Sequence, residues 1–255
     1  MNSINTFFRQ ALISLLIMGG FFWGVSRVDW MDLMGLKPTF VADITSRSLW
    51  HFMEMQIDQS HDQDAIHRLD SMVTRLCHKN NLPEDEITVV LAKDSEVNAY
   101  ATVGSHLVVN TGLLDDCRSD AELMGVLAHE VAHLQLGHIQ RSVQAEFGTI
   151  VFFTLISGGQ NSGTMANILK EITTNAFSRH YEQEADDTAV TYLQKAGTDP
   201  CALADFLDRM PSYGPLSYAG THPDSRERAN TIRRKAKKLS KNKAPSAQSK
   251  LKDKR

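Results

Sequence analysis

Cysteine is scarce in this chain: three stand among 255 residues, at 77, 117 and 201. The count is odd, the spacing wide, and no Cys-x-x-Cys pair occurs, so no zinc-thiolate or redox motif is present. One intramolecular bridge is the most that could form, and buried free thiols are the expectation. Also missing are an internal repeat, a small-x-small cleavage pattern behind the N-terminal apolar run, and a cysteine near that run for lipidation. Neither sign of charge dominates, since 27 Lys and Arg face 30 Asp and Glu for a net −3. That balance conceals an asymmetry. From Arg233 to Arg255 there are eleven basic residues against the single acid Asp253, or +10, which leaves −13 on residues 1–232. With few apolar residues after Leu239, segment 233–255 reads as a disordered, solubilising tail, and no specific nucleic-acid partner is expected.

Seventeen uncharged residues run from Gln10 to Ser26, including Leu12, Ile13, Leu15, Leu16, Phe21, Phe22 and Trp23. That is near the lower limit for a membrane-spanning helix. The reading is an uncleaved anchor within residues 1–35, with a cleaved signal peptide as the alternative, followed by a linker over 36–60. Arg9 and the amino terminus, set against Arg27 and Lys37, favour the N-terminus on the inside of the membrane and the domain that follows outside it. A second uncharged run, Phe147 to Gly159, has the length of a buried or membrane-apposed helix rather than of a second span. The Gly158–Gly163 stretch after it reads as a loop that could act as a lid.

The chemistry is concentrated in His129-Glu130-Val131-Ala132-His133. Residues four apart lie on one helix face, so both imidazoles can point at one metal ion, while Glu130 stands about 100° round the helix, within reach of water there. Ser119-Asp120-Ala121-Glu122 has the spacing of a capping box, and apolar residues from Leu123 to Leu136 run at helical spacing to a stop at Gly137. A catalytic zinc needs a third protein ligand. His138 falls five residues after His133, out of register with the three-histidine pattern, whose last histidine comes six residues on. Glu182 is the better candidate: it shares a helix face with Asp186, so one can bind metal while the other orients a ligand histidine. The alternative for this acidic run is a solvated helix face.

Together these two segments resemble the zinc metallopeptidase family of the CAAX prenyl proteases and HtpX-type membrane proteases, over roughly residues 66–229. That resemblance implies one Zn2+ on His129, His133 and Glu182, with Glu130 as general base and Asp186 behind the ligands. Val97-Asn98-Ala99-Tyr100-Ala101, then Gly104 to Val109, is similar to the segment before the family's zinc helix. It reads as two strands joined at Gly104, with Asn98 and Ala99 on the edge that would hold substrate as an added strand. His222-Pro223 with Arg228 resembles the family's C-terminal His-Pro segment. His222 would then stabilise the oxyanion or occupy the metal's open position in a latent state; a surface histidine before a helix is the alternative. His106, His138 and His180 lie near motifs, but their spacing does not make them ligands.

The fold expected is α+β and mostly helical: a gluzincin-like catalytic domain over residues 61–232 with a small sheet, behind an N-terminal membrane anchor. A helix is expected over residues 64–80, a strand over 87–91, the hairpin, the helix of the two histidines, a long helix carrying Glu182, and a further helix after Asp199-Pro200. The function expected is that of a membrane-anchored zinc metalloendopeptidase acting on unfolded or extended polypeptide. The alternative is a non-proteolytic, zinc-bearing, chaperone-like binder of extended chains.

Overall fold

The computed structural model describes residues 50–51, 53–55, 57–83, 86–142, 178–210, 218, 222 and 225–243. The expected anchor, the apolar run 147–159, the glycine-rich loop and the end of the basic tail lie outside the described residues. Among the described residues no helix is long and apolar enough to cross a membrane.

Helix α1 (Gln63–Asn80) begins where Asp62 accepts the Ala65 N–H, and stops where Asn81 turns into the left-handed region at φ 55°. Its buried face carries Leu69, Met72, Val73 and Leu76. Strands β1 (Thr88–Ala92), β2 (Ala99–Thr102) and β3 (His106–Asn110) form a sheet in the order β1-β3-β2. β1 runs parallel to β3, and β2 pairs antiparallel with it as the expected hairpin. The hairpin turns through Val103–Ser105, where Gly104 sits at φ 72° and an added Cβ would press on the His106 ring at 3.1 Å. Gln59 bridges to Ala92 beside β1, whereas among the described residues no strand pairs with the outer edge of β2.

A short helix α2 (Thr111–Asp116) leads into α3 (Asp120–Gln135). Ser119 accepts the Glu122 N–H at 3.3 Å, while the Glu122 carboxylate reaches back to the Arg118 N–H at 2.8 Å, one residue beyond the usual capping-box partner. Every residue of α3 from Glu122 to Leu134 is buried, which makes this the central helix. Helices α4 (Arg179–Ala196) and α5 (Cys201–Arg209) pack on it, and α6 (Ser225–Lys243) lies across α5 and α4. Gly125 permits the α3–α5 approach: a Cβ there would come within 2.9 Å of Leu203 Cβ and 3.0 Å of its Cα. Leu69, Leu76, Leu107, Leu123, Leu127, Leu193 and Phe206 close one core between helices and sheet.

The tail needs a correction at its start. Residues 233–243 continue α6 rather than being disordered, with Ile232 and Ala236 buried. Arg233 pairs with Asp205 and Asp208 at 2.6 Å each, and Lys235 with Asp187 at 2.8 Å. Composition over 23 residues hid this, because the apolar positions on the inner face are few and sparsely placed among basic ones.

Candidate active site

His129 and His133 project from adjacent turns of α3, with their Nε2 atoms 3.0 Å apart. Two imidazole lone pairs repel at that distance unless a cation, a proton or a metal ion, lies between them. Glu182, in the first turn of α4 behind its Ser178 cap, brings Oε1 to 3.4 Å from His133 Nε2 and Oε2 to 3.4 Å from His129 Nε2. His222 adds its Nδ1, 3.3 Å from His129 Nε2 and 3.0 Å from Glu182 Oε1. All four residues are buried, and one ligand atom from each lies within 4.8 Å of the others. Ligands at about 2.0–2.1 Å around one tetrahedral zinc stand about 3.3 Å apart, so three imidazole nitrogens and a carboxylate spaced in this way fit a divalent cation. A further observation agrees. Glu182 Oε2 makes no well-directed hydrogen bond, although Arg228 Nη1 pairs with it at 2.6 Å.

The electrostatics point the same way. Burial and the charge of Arg228 oppose a proton on His129, yet Asp186 and Glu182 outweigh them and hold its pKa up at about 9. Burial drives His133 well below the usual histidine range, against its bond to Glu182. Burial would raise Glu182, but His222, Arg228 and the two histidines bring it well below the usual carboxylate range. Buried and anionic, Glu182 thus faces two imidazoles, of which His133 resists a proton and keeps a bare nitrogen, a donor set that a divalent cation would suit.

Behind the donors stands a carboxylate–arginine clamp. Asp186, one turn after Glu182, places Oδ1 at 3.0 Å from His129 Nδ1, fixing that ring with Nε2 turned to the cluster. Arg228 of α6 donates to both Asp186 oxygens at 2.8 Å from Nε and Nη2, and Nη1 reaches the His222 carbonyl at 3.3 Å. Burial would raise Asp186, but Arg228 outweighs it and lowers the carboxyl to about 2. One guanidinium thus holds a donor, the acid behind a second donor, and the backbone of a third.

Glu130 is fully buried beside this cluster. Its Oε2 accepts the Ala101 N–H at 3.0 Å, and its Oε1 lies 3.4 Å from both the Tyr218 hydroxyl and His222 Nε2. Tyr218 stacks on His222 with ring centroids 4.4 Å apart, and its N–H donates to the Val97 carbonyl, tying this segment to the start of the hairpin. Burial, with Glu130 beside it, pushes the Tyr218 phenol well above its usual value, so it remains a hydrogen-bond donor.

The register of β2 explains the Ala101 contact. Asn110 N–H donates to the Asn98 carbonyl, and Tyr100 faces Val108, so residues 98, 100 and 102 turn their main-chain groups toward β3. The main-chain groups of Ala99 and Ala101 therefore face the outer edge, and Ala101 uses its N–H on Glu130. Asn98 is buried in the ladder, and Ala99, though on the edge strand, is itself fully buried with its side chain in the core. His106 stacks on Trp50 and His180 is exposed, both apart from the cluster, whereas His138 contacts it from behind. Sequence reasoning gave no role to Tyr218, His138 or Glu184, and none to Arg228 beyond its place in the His-Pro segment. The partners of Tyr218, Glu184 and Arg228 lie tens of residues away, and the five-residue step from His133 to His138 matches no ligand pattern.

The model of peptidase family M48 matches residues 64–236 of the chain. The metalloprotease LoiP of Escherichia coli K12 is 30% identical over 175 residues, covering 65% of this chain and 68% of that one. The protease HtpX homolog of Ralstonia pickettii is 29% identical over 249 residues, covering 87% and 84%. The beta-barrel assembly-enhancing protease of Yersinia pestis is 27% identical over 192 residues, and the match spans only 39% of its length.

Proposed function

Because the chain belongs to peptidase family M48 and is thereby a zinc metalloprotease, we propose that it is a membrane-anchored endopeptidase that hydrolyses unfolded or extended polypeptide, with Glu130 as general base. The observation that carries this reading is the fully buried Glu130 carboxylate beside the His129–His133–Glu182 donors, bonded at once to the outer edge of β2. His129, His133 and Glu182 would hold the ion. Bound there, zinc supplies a Lewis acid that polarises a peptide carbonyl and makes water acidic near neutral pH. Glu130 takes the proton from the attacking water and returns it to the leaving amide nitrogen. Tyr218 and His222 converge on Glu130 Oε1, so a carbonyl within reach of that carboxylate is also within reach of an O–H and an N–H that can stabilise an oxyanion. Asp186 orients His129 through its Nδ1.

Substrate would lie along the outer edge of β2, the main-chain groups of Ala99 serving as the recognition element beside Asn98. Such an edge reads backbone rather than side chains, which favours extended or misfolded chains over one defined sequence. The N-terminal run Gln10–Ser26 would hold the domain at the bacterial inner membrane, facing the periplasm, and no specific nucleic acid takes part. One observation favours a second reading, a latent enzyme or a zinc-bearing binding protein: His222 Nδ1 sits among the donors and would close the position that catalysis leaves open.

The test is cleavage of casein by the full-length chain in detergent, beside Glu130→Gln and His222→Ala, with zinc content measured in all three. Cleavage by wild type and not by Glu130→Gln, at equal zinc, supports the endopeptidase. Activity that appears only in His222→Ala supports latency. No cleavage by any of the three at full zinc occupancy leaves the binding protein as the reading.

A further inference from the structure

The two histidines of α3 are supported differently. His129 has a carboxylate directly on its Nδ1, that of Asp186. His133 meets another imidazole there, with His138 Nδ1 3.0 Å from His133 Nδ1. The interruption of the helix after α3 explains how residue 138 reaches back to residue 133. Gly137 takes φ 68° and donates to the Leu134 carbonyl, ending the helix, and residues 138–142 begin a new helical segment. His138 is fully buried against His133, and Ser142 Oγ donates to its carbonyl.

Helix α4 fixes the ring from the other side. Tyr181 stacks on His138 with centroids 4.3 Å apart and planes 8° off parallel, and Glu184 Oε2 lies 3.3 Å from His138 Nε2. Three residues near the start of α4 therefore act on one α3 histidine: Glu182 on its Nε2, Tyr181 and Glu184 through His138 on its Nδ1.

We infer that His138 and Glu184 are positioning residues for His133, acting through an ordered row of hydrogen bonds. The inference rests on the reading of His133 as a metal ligand. A ligand nitrogen must present a lone pair, so the His133 proton belongs on Nδ1. His133 Nδ1–H then donates to His138 Nδ1, which must be bare, and His138 keeps its own proton on Nε2 and donates it to Glu184. Each proton has one place. The row runs from the buried cluster to a carboxylate that is 37% exposed, whereas Asp186 behind His129 is 4% exposed. Partners of this kind fix ring orientation and raise ligand basicity.

The test compares zinc affinity, by competition with a chromogenic chelator, and the visible spectrum of the Co2+ form, for full-length wild type, His133→Ala, His138→Phe, His138→Asn and Glu184→Ala. His138→Phe keeps a ring for Tyr181 but offers no acceptor, and should bind zinc about 10–100-fold more weakly with an altered Co2+ spectrum. His138→Asn places Oδ1 where Nδ1 stood and should recover most of the affinity; Glu184→Ala should show a smaller loss. Wild-type affinity and spectrum in His138→Phe, while His133→Ala loses binding, would overturn the inference. Should His138→Phe fail to fold, Glu184→Ala decides, since its position is half-open, and unchanged affinity there is equally fatal. Undiminished binding by His133→Ala removes the ligand reading itself, a separate outcome.

Discussion

At the scale of single residues the site depends on a few buried charges whose removal has separable effects. Glu130→Gln keeps an oxygen for the Ala101 N–H and should leave zinc content unchanged while lowering kcat about 10²–10⁴-fold, measured on casein. Arg228→Met acts on the scaffold instead. It strands the carboxylates of Asp186 and Glu182 without their guanidinium, and breaking a buried pair from one side costs about 3–5 kcal/mol, to be read from urea melts. Asp186 also sets an acid limb. Its folded pKa of about 2 lies below the ordinary aspartate value of 3.8, so its contribution is present above the unfolded value and is lost as pH falls toward 2. Stability of Asp186→Asn, followed by denaturant melts from pH 5 down to pH 2, should fall less steeply than that of wild type.

At the scale of elements, close packing of α3 on α5 hangs on one hydrogen atom. Gly125→Ala gains about 1 kcal/mol of helix propensity, but the new methyl meets Leu203 backbone as well as side chain, and overpacking of this kind costs about 1–3 kcal/mol. A net loss of Tm is expected by calorimetry, larger for Gly125→Val. These elements also show what the sequence made legible. The helix of the two histidines was readable from its cap, its apolar spacing and its glycine stop, and the hairpin from Gly104, because those signals lie within one turn of the structure they specify. The helical start of segment 233–255 is not legible in the sequence, because the apolar face of α6 is thin and its basic residues are satisfied by acids of α4 and α5, distant in sequence. His138 was set aside on ligand spacing, which says nothing of a residue that approaches a ligand from behind. Tyr218 carries no signal until the Val97 carbonyl is seen to hold it.

At the scale of the whole molecule, the donors come from α3, α4 and the segment before α6, so a bound ion would link parts of the chain that otherwise meet only by packing. Ligands that bind the folded state alone stabilise it by mass action. Stripping zinc with a chelator should therefore lower the Tm, and adding zinc back should restore it in wild type but not in His133→Ala, by differential scanning fluorimetry. The same dispersion of donors governs timing during synthesis. His129 and His222 are 93 residues apart, an interval of roughly 5–20 s at about 5–20 residues per second of elongation. Through that interval the nascent chain carries its paired histidines and its prospective base without Glu182, then without Arg228, and so without the arrangement that could cut a neighbouring chain. Capacity to hydrolyse would arrive only once the segment carrying Tyr218, His222 and Arg228 has been made, so the site is completed well after its paired histidines.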